Sequence, residues 1–148
     1  MTDVWAISML ISGGIFTGGV VAIAWERIPA WREVELAAFR PAFAHTVRRM
    51  DRFQPALLVT CLLSTIGFAI GAGGTTRAFA AVAGAGFLVI LAGSGAWLVP
   101  VQKRLVASAK EAPSPELERL RHRWLRGHLV RTVVALGALA FAAAAALA

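Results

Sequence analysis

Two ionisable residues, His128 and Arg131, lie about one helical turn apart at the start of the last apolar run in the sequence. The sixteen residues that follow Thr132 carry no polar side chain. An ionisable group at membrane depth is costly unless it faces the inside of a helix bundle and has a partner, so such groups typically mark functional sites. The spacing therefore makes His128 and Arg131 a candidate site.

A structural role for the same residues stays open. Arg131 lies roughly 5 Å of helix rise beyond His128, so its side chain is long enough to reach the lipid headgroups. Alternatively, Arg131 pairs with Glu26, which ends the first apolar run at a helix C-terminus, where the helix dipole disfavours an anion. Either arrangement would anchor the helix without doing chemistry.

The elements that position these residues are long apolar segments. Of the 148 residues, 58% are hydrophobic and 16% are charged, whereas a soluble domain is about 45–50% apolar and about 25% charged. A helix crosses the hydrocarbon core with about 20 apolar residues, and four runs are that long: 4–25, 55–73, 78–101 and 128–148. We predict an all-α fold, a single-domain integral membrane four-helix bundle with cytoplasmic helical extensions.

The basic residues predict the orientation of this bundle. The net charge is +7, and most Lys and Arg residues lie in the two long loops, between spans one and two and between spans three and four. The positive-inside rule places both loops in the cytoplasm and both termini outside, as expected for a bacterial inner-membrane protein. This distribution favours contact with anionic membrane lipid over binding of nucleic acid.

The predicted topology brings four helix ends to one membrane depth. The polar residues at or near these ends are Glu26, His45, Asp51, Gln54, Gln102, His128 and Arg131. Trp97 and Trp124 lie at a similar level and suit the wall of a pocket, although all five tryptophans also suit anchoring at the membrane interface. We therefore predict a polar pocket at the cytoplasmic mouth of the bundle.

The second loop contains a clear helix start. Ser114 suits the N-cap, and Pro115 suits the first helical position, where its missing N–H costs nothing. From there one stripe recurs at intervals of three or four residues: Leu117, Leu120, Trp124, His128, Arg131 and Ala135. If the helix is unbroken through Gly127, the apolar members of this stripe indicate that His128 and Arg131 face the bundle.

The first loop carries a helical stripe of its own: Phe39, Phe43, Val47, Met50 and Gln54. We expect a helix that begins at Pro41 and runs on into span two, with a bend at Pro55. The alternative is an interfacial helix that lies on the membrane with its basic face, which includes His45, toward the headgroups.

Small residues indicate how the spans pack, because close approach of backbones contributes to helix association in lipid. They are Gly14 and Gly18 in span one, Gly67 and Gly71 in span two, and Gly84, Gly86, Gly93 and Gly95 in span three. We expect them inside one compact bundle, although the same faces would also suit a homo-oligomer or a protein partner.

The sequence contains none of the common catalytic motifs GxSxG, P-loop, HExxH and CxxC. Nucleotide-dependent and metalloprotease mechanisms therefore have no support. Haem ligation by His128 or His45 is chemically feasible, but two histidines without an attachment sequence do not specify haem. We predict no cofactor, with haem or a metal ion left open.

Three stretches resemble the small four-span membrane proteins of domain of unknown function 1772, which include the anthrone oxygenases. They are Glu26 and Pro29 at the end of span one, Pro100 to Leu105 after span three, and Trp124-Leu125-Arg126-Gly127-His128-Leu129-Val130-Arg131-Thr132 at the start of span four. The likeness covers nearly the whole chain, and W-x-x-x-H-x-x-R is its most specific part. Where relatives tend to carry Pro-x-Asn, this chain has Gln102, an amide one methylene longer.

The resemblance implies a membrane oxygenase that acts on a flat lipophilic aromatic molecule without an organic cofactor. An anthrone-like carbon acid would lose a proton, and the resulting carbanion would react with dioxygen. The implied base is His128 or Glu26, and Arg131 would stabilise the enolate. The implied substrate-binding residues are Gln102, which orients, Trp97 and Trp124, which stack, and His45 and Gln54 as further members of the pocket.

Three other functions stay open. A non-catalytic accessory subunit or scaffold would use the polar mouth as a structural network and the basic loops to hold a partner or anionic lipid. A small carrier or channel is less attractive, because the spans lack a polar stripe through the bilayer centre. A haem or metal redox protein would be recognised by its visible spectrum and metal content.

Overall fold

Helices account for all the regular secondary structure in residues 2–50 and 52–148, the part of the chain that the computed structural model describes. Four helical stretches are long and apolar enough to cross a membrane: Asp3–Glu33, Gln54–Gly71, Gly74–Lys110 and Pro115–Leu147. The prediction of an all-α membrane bundle with four spans is confirmed.

The first half of the chain consists of two spans and the helices that join them. Helix α1 (Thr2–Ala22) passes through a π-helical turn (Ile23–Arg27) into α2 (Ile28–Glu33). Helix α3 (Leu36–Met50) follows after a short break, and α4 (Gln54–Gly71) is the second span.

The second half begins with α5 (Gly74–Gly93), which continues through a second π-helical turn (Ser94–Leu98) into α6 (Val99–Ala107). A 3-10 turn (Ser108–Lys110) ends this stretch, and α7 (Pro115–Leu147) is the last helix. Helix α1 packs mainly against α4, and α5 packs mainly against α7. Helices α4 and α5 form the predicted antiparallel hairpin, and Gly74 in its turn has φ +51°, which favours glycine.

The start of α7 follows its local sequence. The Ser114 side chain accepts a hydrogen bond from the backbone N–H of Leu117 at 3.3 Å, and Pro115 is the first helical residue. The helix is continuous for 33 residues, through Gly127. Trp124 and His128 are buried, so the predicted stripe does face the bundle.

Helix α3 differs from the prediction in its boundaries. It begins at Leu36, with Pro41 in its interior, and it ends at Met50. Arg52 and Phe53 form a turn before α4, so the helix does not run on into the second span.

The apolar stripe of α3 packs on protein. Phe39 and Phe43 are buried and meet Trp31 at ring-centroid distances of 5.7 and 5.6 Å. Phe43 also meets Trp124 edge-on at 4.7 Å. The stripe therefore faces the protein interior, and Trp31 and Trp124 are core residues instead of membrane anchors.

The glycines divide into packing and lipid-facing positions. A Cβ placed on Gly86 would lie 2.8 Å from the Cβ of Ala138, and one on Gly67 would lie 2.7 Å from the ring of Trp5. These two positions allow the close approach that was expected. Gly14 and Gly18 have open space beside them, so their face is not used inside the bundle.

Candidate functional site

A mostly apolar cavity with four polar residues in its wall lies at the predicted mouth of the bundle. This inner cavity has a volume of about 160 Å³, and its polar lining residues are Gln54, Ser94, Gln102 and Arg131. Apolar side chains such as Phe16 form the rest of its wall. A smaller pocket of about 20 Å³ shares Gln54, Gln102 and Arg131 and reaches Trp124. The structure therefore brings four of the predicted site residues together: Gln54, Gln102, Trp124 and Arg131.

His128 lies behind Arg131 and is fully buried. Its Nε2 is 3.1 Å from the carbonyl oxygen of Val20, and a carbonyl only accepts, so Nε2 carries the proton. Its Nδ1 then holds a lone pair, which accepts a hydrogen bond from Nη2 of Arg131 at 2.9 Å. The hydrogen-bond network thus assigns a neutral imidazole with both nitrogens engaged.

Packing fixes the plane of this imidazole. The ring of His128 stacks on Trp124, with centroids 4.9 Å apart and an interplanar angle of 26°. One turn later, Thr132 donates a hydrogen bond to the backbone carbonyl of His128 at 2.9 Å and lies 3.5 Å from the Val20 carbonyl. Helix α7 is therefore attached to α1 at the level of Val20.

Two π-helical turns flank the site. The first, Ile23–Arg27, begins three residues after Val20, and the second, Ser94–Leu98, places Ser94 and Leu98 in the wall of the inner cavity. A π-helical turn inserts about one extra residue, which rotates the following side chains by roughly 100°. The two turns therefore change which faces of spans one and three point inward.

Glu26 lies in the first π turn and does not reach the site. Its side chain is 68% exposed, and its carboxylate lies 3.4 Å from Arg27. The expected ion pair of Glu26 with Arg131 is therefore wrong. The helical stretch continues through Ile23–Arg27 to Glu33, so Glu26 is not at a helix C-terminus and the dipole does not require a cationic partner there.

His45 and Trp97 also lie away from the inner cavity. His45 is exposed on α3, opposite the buried stripe. Trp97 is 42% exposed and lines an adjoining groove on the outside of the bundle. The guanidinium of Arg123 lies 5.3 Å from the ring centroid of Trp97. Asp51 lies outside the residues that the structure describes.

The inner cavity presents hydrogen-bond donors. The amide nitrogen of Gln54 is buried, and so is the indole nitrogen of Trp124, which lines the smaller pocket. In the described part of the chain neither has a hydrogen-bond partner. The same holds for the hydroxyl of Ser94. Buried polar groups are normally hydrogen-bonded, so these groups together with Arg131 suit a ligand that carries accepting oxygens.

Comparison with known families bears on these residues. A family model described as anthrone oxygenase matches residues 43–146, more than two thirds of the chain. The chain belongs to the anthrone oxygenase family. No curated protein and no solved structure matches it.

The matched region of this anthrone oxygenase family member contains all four polar residues of the inner cavity, together with Trp124 and His128. Glu26 lies before the matched residues.

The sequence did not indicate two parts of the site: the hydroxyl of Ser94 and the carbonyl of Val20. Ser94 is a lone hydroxyl between Gly93 and Gly95 in an apolar run, and that isolation was the available signal. A backbone carbonyl leaves no trace in the sequence.

The donor set of the cavity does not resemble a metal site. Among residues 2–50 and 52–148, no group of three or more His, Cys, Asp or Glu side chains lies close enough to hold a metal ion. His128 offers a lone pair to haem iron only if Arg131 leaves Nδ1. The donors of Gln54, Ser94 and Arg131 suit an anionic or carbonyl-bearing ligand.

Proposed function

We propose that this family member is a membrane oxygenase that oxidises an activated methylene group of a lipophilic hydroxyaromatic ketone to a carbonyl, with dioxygen as the oxidant. The observation that carries the proposal is the inner cavity, an apolar chamber at the end of the bundle with hydrogen-bond donors from Gln54, Ser94 and Arg131. A substrate of this class carries the accepting oxygens that these donors suit.

Arg131 is the group that stabilises charge. Removal of a proton next to an aromatic ketone places negative charge on its oxygen as an enolate, and a fixed cation in an apolar cavity stabilises this charge far better than water does. The donors of Gln54 and Ser94 orient the same oxygen or a neighbouring hydroxyl. A cavity of about 160 Å³ accommodates about one aromatic ring, so a substrate with several fused rings would extend beyond it.

The reaction balances without an external reductant. The substrate carbon first loses a proton to solvent water. The resulting carbanion gives its electron pair to dioxygen, a C–O bond forms, and a proton returned from water yields a hydroperoxide. Cleavage of the O–O bond and loss of the remaining hydrogen from the same carbon release water and leave a C=O group. One oxygen atom enters the product and the other leaves as water, so no organic cofactor is required.

His128 receives a positioning role in this proposal. It is buried behind Arg131, and its Nδ1 lone pair already accepts a hydrogen bond from Arg131. It would act as the base, as the resemblance implied, only if Arg131 moved its hydrogen bond from Nδ1 to the substrate oxygen. In the observed arrangement, the hydrogen bond from Arg131 to His128 orients the Arg131 guanidinium at the wall of the inner cavity.

Oxygen consumption tests the proposal. The protein in detergent or nanodiscs is supplied with 1,8-dihydroxyanthrone, and the uncatalysed rate is subtracted. Wild-type protein should accelerate oxygen uptake, and Arg131→Gln should lower kcat/KM roughly 100-fold. Arg49→Gln, which removes an exposed cation from α3, should leave the rate unchanged.

Two results would overturn the proposal. One is a wild-type rate equal to the uncatalysed rate with several hydroxyanthrones, together with a lower thermal stability of Arg131→Gln. This result would support the accessory-subunit or scaffold function. The other is full activity of Arg131→Gln, which would show that the cation is not used.

A further inference from the structure

An apolar groove runs along the lipid-facing side of the bundle, between α5, the second π turn and α7. This outer groove has a volume of about 110 Å³. Its apolar wall includes Val89, Ile90, Gly93, Trp97, Val130 and Val134. Val89 and Val130 are each 61% exposed, so the groove is open on the side that faces the membrane.

A basic pocket adjoins this groove toward the polar end of the bundle. It is formed by Trp97 with Arg119, His122, Arg123 and Arg126. Trp97 lines both concavities. The two features are therefore neighbours on one surface and not separate sites.

The sequence of α7 also indicates that the outer groove and the basic pocket are continuous. Arg119, Arg123, Gly127, Val130 and Val134 recur at intervals of three or four residues, so they lie on one face of the helix. This face is cationic before Gly127 and apolar after it. The change coincides with the start of the apolar run, where a membrane boundary is expected.

The arginines of the basic pocket form no salt bridge with any described residue. The neighbouring carboxylate of Glu118 contacts Arg121, and it also contacts His122, which belongs to the pocket. The guanidinium of Arg123 is held over the ring of Trp97, with 5.3 Å to its centroid. A positioned cation cluster at a membrane boundary suits a phosphate.

We propose that this composite surface binds one anionic phospholipid, with its phosphate at the arginines of the basic pocket and an acyl chain in the outer groove. The apolar half favours a lipid over a nucleic acid or a soluble anion, because neither would cover the exposed valines. The outer groove shares Ser94, Leu98 and Arg131 with the inner cavity, so a bound chain would cover the lateral side of that cavity. The proposal does not depend on the reaction assigned above.

Tryptophan quenching tests this site directly. Protein in detergent micelles is titrated with phosphatidylglycerol or phosphatidylcholine whose acyl chains carry bromine, a quencher of indole fluorescence. Phosphatidylglycerol should quench at a roughly ten-fold lower concentration, and Trp97→Phe should remove most of the difference between the two lipids. Equal quenching by the two lipids would overturn the proposal.

Two pairs of variants distinguish binding at this site from nonspecific electrostatic attraction of the lipid to the protein. The triple variant Arg119→Gln, Arg123→Gln, Arg126→Gln should abolish the preference, whereas the control triple Arg48→Gln, Arg49→Gln, Arg52→Gln, at the end of α3 and in the turn after it, should retain it. In the groove, Gly93→Leu should weaken quenching, whereas Gly18→Leu on the lipid-facing side of α1 should not. Equal effects of both triples would show that only net charge matters.

A soluble competitor distinguishes a lipid site from a free-anion site. Glycerol 3-phosphate at millimolar concentration should not displace brominated phosphatidylglycerol, because it lacks the chain that fills the outer groove. Displacement by this compound would show that the pocket binds a free phosphate ester and would overturn the assignment to a lipid.

Discussion

Arg131 donates a hydrogen bond from Nη2 to Nδ1 of His128 across 2.9 Å. His128 in turn donates from Nε2 to the carbonyl of Val20 at 3.1 Å. A neutral imidazole thus connects the backbone of α1 to a guanidinium that lines the inner cavity. The same pair of hydrogen bonds joins two distant parts of the chain and orients the cation on which the proposed chemistry depends.

Asparagine and glutamine at position 128 should separate these two hydrogen bonds. His128→Asn retains an acceptor near Nδ1, and His128→Gln retains a donor near Nε2. If orientation of Arg131 is what matters, His128→Asn should keep much of the oxygen uptake, whereas His128→Gln should lose roughly ten-fold in kcat at similar KM. Equal loss in both variants at equal thermal stability would contradict a positioning role.

Gln54 should show opposite effects on stability and on substrate binding. Its amide nitrogen is buried without a hydrogen-bond partner in the described chain, and removal of an unsatisfied buried donor is neutral or stabilising by about 1 kcal/mol. Gln54→Leu should therefore unfold at the same or higher temperature, while KM for a hydroxyanthrone rises several-fold.

Gly19→Ala offers an independent check on Gln54. Its new Cβ would lie 2.9 Å from the amide nitrogen of Gln54 and should displace it, so KM should rise in this variant too. A fall in the unfolding temperature of Gln54→Leu, with KM unchanged, would show that this amide stabilises the bundle instead.

Two glycines in α5 provide a matched test of close packing. The Cβ of Gly86→Ala would lie 2.8 Å from the Cβ of Ala138, a rigid contact that requires a backbone shift, so the unfolding free energy in detergent should fall by about 1–3 kcal/mol. The Cβ of Gly84→Ala would lie 3.5 Å from Thr65, an ordinary contact. That variant should be neutral or stabilised by up to about 1 kcal/mol. Equal destabilisation would argue against a close α5–α7 approach at Gly86.

The segment between α6 and α7 should respond to acid. Glu111 accepts two hydrogen bonds from Arg104, at 2.5 and 3.0 Å, and this interaction holds the pKa of Glu111 below its usual range. Because the pKa of Glu111 is lower in the folded protein than in the unfolded chain, the contact stabilises the folded protein fully at pH values above the unfolded-state pKa. This stabilisation is lost as the pH falls through the folded-state pKa. Carboxyl NMR titration should show this low pKa, with Arg104→Gln raising it and Lys103→Gln leaving it unchanged. An unshifted carboxyl in the wild type would contradict the ion pair.

Local signals in the sequence were sufficient to predict the positions of the four spans and the start of α7. Span positions follow from the length of apolar runs, and the helix start follows from Ser114 and Pro115, whose effects act within one turn. The stripe through Trp124 and His128 was correct for the same reason, since α7 is regular throughout. The start of α3 was not predicted, because Pro41 is accommodated inside the helix.

The sequence by itself thus determined the four spans, the regular face of α7 and the residue types gathered at the polar end of the bundle. Only the tertiary structure decided which of these residues meet. The π-helical turns at Ile23–Arg27 and Ser94–Leu98 shift the faces of two spans at the level of the cavity, where Glu26 lies outside and Ser94 and Leu98 lie in the wall. The contacts that join α1 to α7 beside the first turn come from residues more than a hundred positions away, so no local pattern encodes them.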